Sequence, residues 1–310
     1  MIVPDFLRPG EPVIVTAPSG PVDKRRLEAG LAYLSEHRHP SLLTPHVLER
    51  HGYFAGRDEL RAGDLNEVIG RDDGKAIFLA RGGYGFSRIL NLLDLEALRR
   101  RPRLLLGYSD ATALFMALQA KGPYLVHYGP VVSDMGTASA FDERSLWSAL
   151  YGQPSAFTVP FRASDVVRSG RGAGRLVGGC LSLLVTLLGT PHDFDYRGCI
   201  LFWEDTGEEP YRIDRMLTQL RNAGKFDRLR GMVVGSLIGC EAPEGKPSLE
   251  IREIILDLAQ LATFPIVWNL RAGHVPGKIT LMMGLEASLR TSRRSMLLRL
   301  PRGRARALAG

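Results

Sequence analysis

The residues Gly107-Tyr108-Ser109-Asp110 stand between an apolar run at 103–106 and a helix-forming stretch at 111–120. A serine on so sharp a strand-to-helix turn projects its hydroxyl from the carboxyl edge of a sheet. The backbone N–H of the next residue, Asp110, then lies at a helix N-terminus, facing any oxyanion formed by attack. This is the chemistry of acyl transfer. The motif departs from G-x-S-x-G in having Ala111 at its fifth position, and taken alone such a serine more commonly caps the following helix. A second element, Arg81-Gly82-Gly83-Tyr84-Gly85, follows the apolar run that ends at Ala80. Glycines there let backbone approach a ligand closely. If the two strands are neighbours, this loop and Ser109 face one crevice; a phosphate loop or a plain tight turn fits the same glycines.

A serine nucleophile needs a base, and the chain has seven histidines. His37, His39, His46 and His51 fall in one polar region without metal-ligand spacing. His127 follows a predicted strand, and His192 sits in a Gly-Thr-Pro-His turn. His274, within Ala272-Gly273-His274-Val275-Pro276-Gly277, is held in a loop suited to presenting a side chain and is the best base by context. An imidazole base is usually oriented by a carboxylate. Glu204 ends the apolar strand at 199–203, whereas Asp205, Glu208 and Glu209 read as loop and helix-start acids that offset a helix dipole.

The elements that must position these groups alternate. Strands are predicted at 12–17, 75–80 and 103–106, with helices at 23–36, from 86 to 93 and at 111–120, the pattern of βαβ units around a parallel sheet. Around 152–174 the sequence turns polar and rich in glycine and serine. Beyond it come a helix at 180–188, a strand at 199–203, a helix at 210–223, strands at 231–238 and 266–268, and a hairpin-like close at 278–300. The expected architecture is α/β: a Rossmann-like parallel-sheet domain over 1–152, a linker over 153–174, and a smaller mixed α and β domain over 175–310.

The whole chain of 310 residues is 45% apolar and 24% charged, enough for a substantial core and incompatible with a disordered or fibrous class. Its +7 net charge, 40 basic against 33 acidic residues, sits at the end. Arg290, Arg293, Arg294, Arg299, Arg302, Arg304 and Arg306 fall after Ser288 with no acid among them, so the rest is neutral. This reads as a solvated edge strand and a frayed terminus, not a nucleic-acid surface. Cys180, Cys199 and Cys240 form no CxxC pair, so neither a disulfide frame nor a zinc site is expected. With no leader-like start and no bilayer-length apolar run, a cytoplasmic protein without a membrane partner is the expectation.

Taken together, APSGPV (17–22), RGGYG (81–85), GYSD (107–110), LVGGCLSLL (176–184), EDTGEEPYRIDRML (204–217) and GHVPGK (273–278) resemble the LD-carboxypeptidase family of serine peptidases. The resemblance runs over nearly the whole chain, with 95 residues from Ser109 to Glu204 and 70 from Glu204 to His274. It implies Ser109 as nucleophile, His274 as general base and Glu204 as its orienting partner, with an oxyanion hole from the N–H groups of Gly83 and Asp110. It further implies no cofactor or metal, a homodimer, and cleavage of the bond to a terminal D-alanine in cytoplasmic muropeptide tetrapeptides during cell-wall recycling. Relatives instead hydrolyse a peptidyl nucleotide antibiotic, and a non-catalytic α/β ligand-binding protein is the alternative from another class. The antibiotic reading favours an aromatic to stack on a base, and 152–174 offers only Phe157 and Phe161. One departure is Cys180, where the family often has asparagine. In an apolar helix start it reads as a buried, inert thiol.

Overall fold

A computed structural model describes residues 1–301. Strands β1 (Val13–Thr16), β2 (Ser41–Leu43), β3 (Ala76–Leu79), β4 (Leu104–Gly107) and β5 (Val126–Tyr128) run parallel in a first sheet. The second sheet takes β6 (Thr158–Pro160), β7 (Val166–Arg168), β8 (Arg171–Cys180), β9 (Ile200–Thr206), β10 (Gly231–Ile238) and β11 (Ile266–Val267). Of the last three, β12 (Leu281–Met283) returns to the first sheet, while β13 (Glu286–Arg290) and β14 (Ser295–Arg299) complete the second. The orders are β12-β5-β4-β3-β1-β2 and β6-β14-β13-β8-β9-β10-β11-β7.

The central strands of the first sheet are short apolar runs because both their faces are covered. Side chains alternate along a strand, so Ile14, Ile77 and Leu105 enter a core shared with the second sheet, while Val15, Phe78 and Leu106 pack under the helix Lys24–Glu36 and around Trp147. That helix begins at Asp23, whose carboxylate accepts the Arg26 N–H at 3.0 Å. The fold is the expected α/β architecture, a first sheet of five parallel strands joined by the antiparallel β12, and a second, mixed sheet.

Three local expectations need correction. The hairpin-like close over 278–300 is split. Leu281–Met283, fully buried and apolar, pairs antiparallel with β5, and only β13 and β14 form the hairpin. The stretch 153–174 is not featureless, since β6 and β7 form the two opposite edges of the second sheet and β8 already begins at Arg171. The arginine-bearing strand β14 lies between β13 and β6, one strand in from the edge, because β6 covers it. The expected frayed terminus, with Arg302, Arg304 and Arg306, lies outside the described residues.

Candidate active site

Strand β4 is buried along its length and delivers Tyr108 and Ser109 to the carboxyl edge of the first sheet. Ser109 has φ +63°, a left-handed conformation that costs a non-glycine residue about 1–3 kcal/mol and persists only where its surroundings impose it. The helix Ala111–Ala120 is capped by Asp110 in a helical conformation, without a side-chain cap bond. Ser109 is therefore not the cap that its position alone suggested. Its N–H donates to the Tyr128 hydroxyl at 3.2 Å, and among the described residues its Oγ makes no hydrogen bond.

Because β3 and β4 are parallel neighbours, the loop 81–85 and Ser109 emerge on the same edge. Gly82 is pressed against the serine: a Cβ on it would stand 3.0 Å from Ser109 Cβ and 3.3 Å from Oγ. The far end of the loop is tied to the same turn, since the Asp110 carboxylate accepts the Phe86 N–H at 2.8 Å. Burial pushes that carboxyl above its usual range. Among the described residues, neither the Gly83 N–H nor the Asp110 N–H has an acceptor.

Glu204 comes from the neighbouring sheet, inside β9 and between β8 and β10, and is 0% exposed. Its Oε2 accepts the His274 backbone N–H at 3.1 Å and faces the His274 Nδ1 at 2.8 Å. Its Oε1 accepts the Tyr128 hydroxyl at 2.6 Å. An ionised carboxylate only accepts, so Nδ1 carries the hydrogen and the lone pair is left on Nε2. Gly273 makes this approach possible, because a Cβ at its φ of +97° would fall 2.3 Å from Oε2. The imidazole meets the serine turn through Tyr108, the rings lying edge-to-face with centroids 4.9 Å apart. Lys278 stands over the Tyr108 ring at 4.8 Å and pairs with Asp134 at 3.2 Å.

The structure thus joins Glu204 to His274 directly and sets Gly82 against Ser109, while Ser109 Oγ and His274 are not hydrogen-bonded to each other. Tyr128, which touches both the serine turn and the glutamate, was missed by sequence reasoning. Its one signal was its place at the carboxyl end of the strand beside β4.

Of the other histidines, His51 is exposed and, among the described residues, bonds Phe54 through its backbone alone, and the rest are occupied elsewhere. His37 meets Glu143, His46 meets Asp64, His39 meets Tyr151, and His192 meets Asn91. His127 lies within β5, not after it, buried with its pKa pushed down to about 4 by desolvation. Burial pushes the Cys180 thiol well up. Asp205 is a strand residue, not a loop acid, and the helix N-terminus it faces is that of Leu181–Thr186, not that of the helix after it. It belongs to β9, is buried, and its carboxylate accepts the Ser182 N–H at 2.8 Å. Arg81 donates to the Pro21 carbonyl at 2.6 Å. A cavity of about 640 Å³ between Gly235, Trp268, Lys246 and Arg252 is lined by none of Ser109, Glu204 and His274. Among the described residues, no group of three or more His, Cys, Asp or Glu is placed to hold a metal ion, and no helix is long and apolar enough to cross a membrane.

Comparison with known proteins bears on what this geometry serves. Residues 13–129 match the family model described as the LD-carboxypeptidase N-terminal domain, and residues 173–289 match that of the LD-carboxypeptidase C-terminal domain. A Bacillus subtilis (strain 168) protein described as a probable murein peptide carboxypeptidase is 35% identical over 301 residues, covering 95% of this chain and 93% of its own. A murein tetrapeptide carboxypeptidase of Pseudomonas aeruginosa is 31% identical over 271 residues, 84% of this chain and 87% of that one. Among solved structures, a muramoyltetrapeptide carboxypeptidase from Oxalobacter formigenes superposes with TM-score 0.83 at 28% identity, over 94% of this chain and 99% of that one. The microcin self-immunity protein MccF shares the fold alone, with TM-score 0.88 at 19% identity over 97% and 99% of the two chains.

Proposed function

The chain belongs to the LD-carboxypeptidase family, and from that premise we propose that it is a serine carboxypeptidase that releases the terminal D-alanine of murein tetrapeptides by hydrolysing the L,D bond. The observation that carries this reading is the buried Glu204 carboxylate holding His274 Nδ1 at 2.8 Å beside a strained serine turn. In this reading, His274 Nε2 takes the Ser109 proton as Oγ attacks the scissile carbonyl. Glu204 fixes the tautomer and stabilises the imidazolium. The N–H groups of Gly83 and Asp110 receive the developing oxyanion, each worth about 3 kcal/mol of barrier. His274 then returns its proton to the leaving D-alanine amine, and water hydrolyses the Ser109 ester by the same route in reverse. The part of the chain over 1–152 supplies the nucleophile, and 175–310 supplies the acid and the base.

The names of the relatives, murein peptide and murein tetrapeptide carboxypeptidase, support the substrate class. The same reading puts the reaction in the cytoplasm, on recycled wall fragments, and expects a homodimer. The test is incubation of purified protein with murein tri-, tetra- and pentapeptides, and separately with a peptidyl adenylate analogue, each followed by mass spectrometry. Loss of one alanine from the tetrapeptide alone is the expected result. Cleavage of the adenylate with the tetrapeptide untouched would replace this reading with an immunity-type hydrolase.

A further inference from the structure

We propose that Tyr128 is a positioning residue whose hydroxyl locks the nucleophile turn to the acid that orients the base. The inference rests on the serine peptidase reading above. Its ground is a proton inventory. The Ser109 backbone N–H can only donate, and it donates to the Tyr128 oxygen at 3.2 Å. The single phenolic hydrogen is then committed to Glu204 Oε1, 2.6 Å away. On the other side the His274 backbone N–H, also donor-only, and Nδ1 both fall on Oε2. Every hydrogen in the chain from Ser109 to His274 therefore has one direction, and Glu204 accepts throughout.

Tyr128 and Glu204 are both buried, so no solvent competes for these bonds, and a hydrogen bond to a desolvated charge is among the stronger ones. The groups facing the glutamate and the imidazole are otherwise Tyr108, Cys180 and Asp205, with Lys278 and Asp134 reaching them through the Tyr108 ring. Of these polar groups only Tyr128 bonds both the serine turn and the carboxylate. Removing its hydroxyl withdraws hydrogen-bond support from Glu204, which then attracts the imidazole proton more strongly. It also leaves the Ser109 N–H without an acceptor at a strained position.

The experiment compares wild type, Tyr128→Phe and Ser109→Ala in D-alanine release from a murein tetrapeptide across pH. Tyr128→Phe is expected to lower kcat by about 10- to 100-fold, the worth of one hydrogen bond to a charged group. KM should stay within about twofold, and the acid limb of kcat/KM should move to higher pH, because the base must be unprotonated to act. A lower kcat with the limb unmoved would reduce Tyr128 to packing and overturn the proposal, as would a wild-type profile. If the phenylalanine variant does not fold, Tyr128→3-fluorotyrosine keeps the shape and strengthens the donor. The limb must then move to lower pH, and an unmoved limb overturns the proposal. Failure of the underlying reading shows separately, as Ser109→Ala turning over at the wild-type rate.

Discussion

Ser109 is held at φ +63° in a region its side chain disfavours, with its Oγ left free of any hydrogen bond among the described residues. That is an expensive way to build a turn, and it exposes a hydroxyl at the sheet edge. The dependence on Glu204 is open to test at the same scale. Glu204→Gln keeps the shape but removes the charge that stabilises the imidazolium, and its amide replaces one acceptor where Tyr128 and His274 supply only donors; kcat is expected to fall by up to about 10⁴ in steady-state assays. Gly273→Ala places a Cβ 2.3 Å from Glu204 Oε2, so the histidine loop must shift. A displacement of about 1 Å costs about 100-fold in rate, and the kinetics of this variant should show a loss of that order. Ser109, Glu204 and His274 were legible as candidates because Ser109 and Glu204 each follow a recognisable apolar run and His274 sits between turn-forming residues, although β9 continues past Glu204 to Thr206. Tyr128 was not, because a buried tyrosine in an apolar run carries no sign of what its hydroxyl touches.

At the scale of elements, the apolar strands β1, β3 and β4 announced themselves, since a doubly covered parallel strand needs a continuous apolar run. Strand β8, RGAGRLVGGC, did not. Its first four residues, 171–174, read as glycine-rich crossover because their glycines admit neighbouring backbone: a Cβ on Gly172 would fall 1.6 Å from the Arg230 carbonyl oxygen, and one on Gly174 1.9 Å from that of Gly198. The helix Asp58–Gly70 was hidden for a different reason. It buries Arg61 and Asp64, paired with Asp58 and His46, beside Ala62, Leu65, Val68 and Ile69, so charged residues interrupt its inward apolar face. Strand β5 carries a pH-dependent cost. His127 has its pKa pushed down to about 4 in the fold, below the unfolded value of about 6.5. The unfolded chain therefore binds the extra proton, and this contribution to stability is present above the unfolded value and lost as pH falls through it towards the folded one. The loss should reach about 2 kcal/mol by about pH 5. Urea unfolding of His127→Gln should show a shallower drop between about pH 7 and pH 5 than wild type; parallel curves would refute the assignment.

Over the whole molecule, a single apolar core unites Ile77, Leu105 and Leu118 of the first sheet and its helices with Leu176, Phe202, Met232 and Leu289 of the second. Strand β12 adds a stitch, crossing from the far end of the chain to pair with β5. One cooperative thermal transition is expected by calorimetry, and two well-separated transitions would contradict the shared core. The alternation of elements made the two-part α/β order legible, but not the return of β12, since a three-residue apolar strand is equally at home in either sheet. This interlocking brings together a carboxylate from the second sheet, an imidazole from the loop between β11 and β12 and a serine from the first sheet, and the central claim is that they work as one relay. Its most direct measurement is the release of D-alanine from a murein tetrapeptide by wild type and by Ser109→Ala, followed by mass spectrometry at equal protein concentration. The account predicts release by the wild type and a loss of at least about 10⁴-fold in the variant, whose circular dichroism is unchanged. Release at the wild-type rate by Ser109→Ala would contradict it.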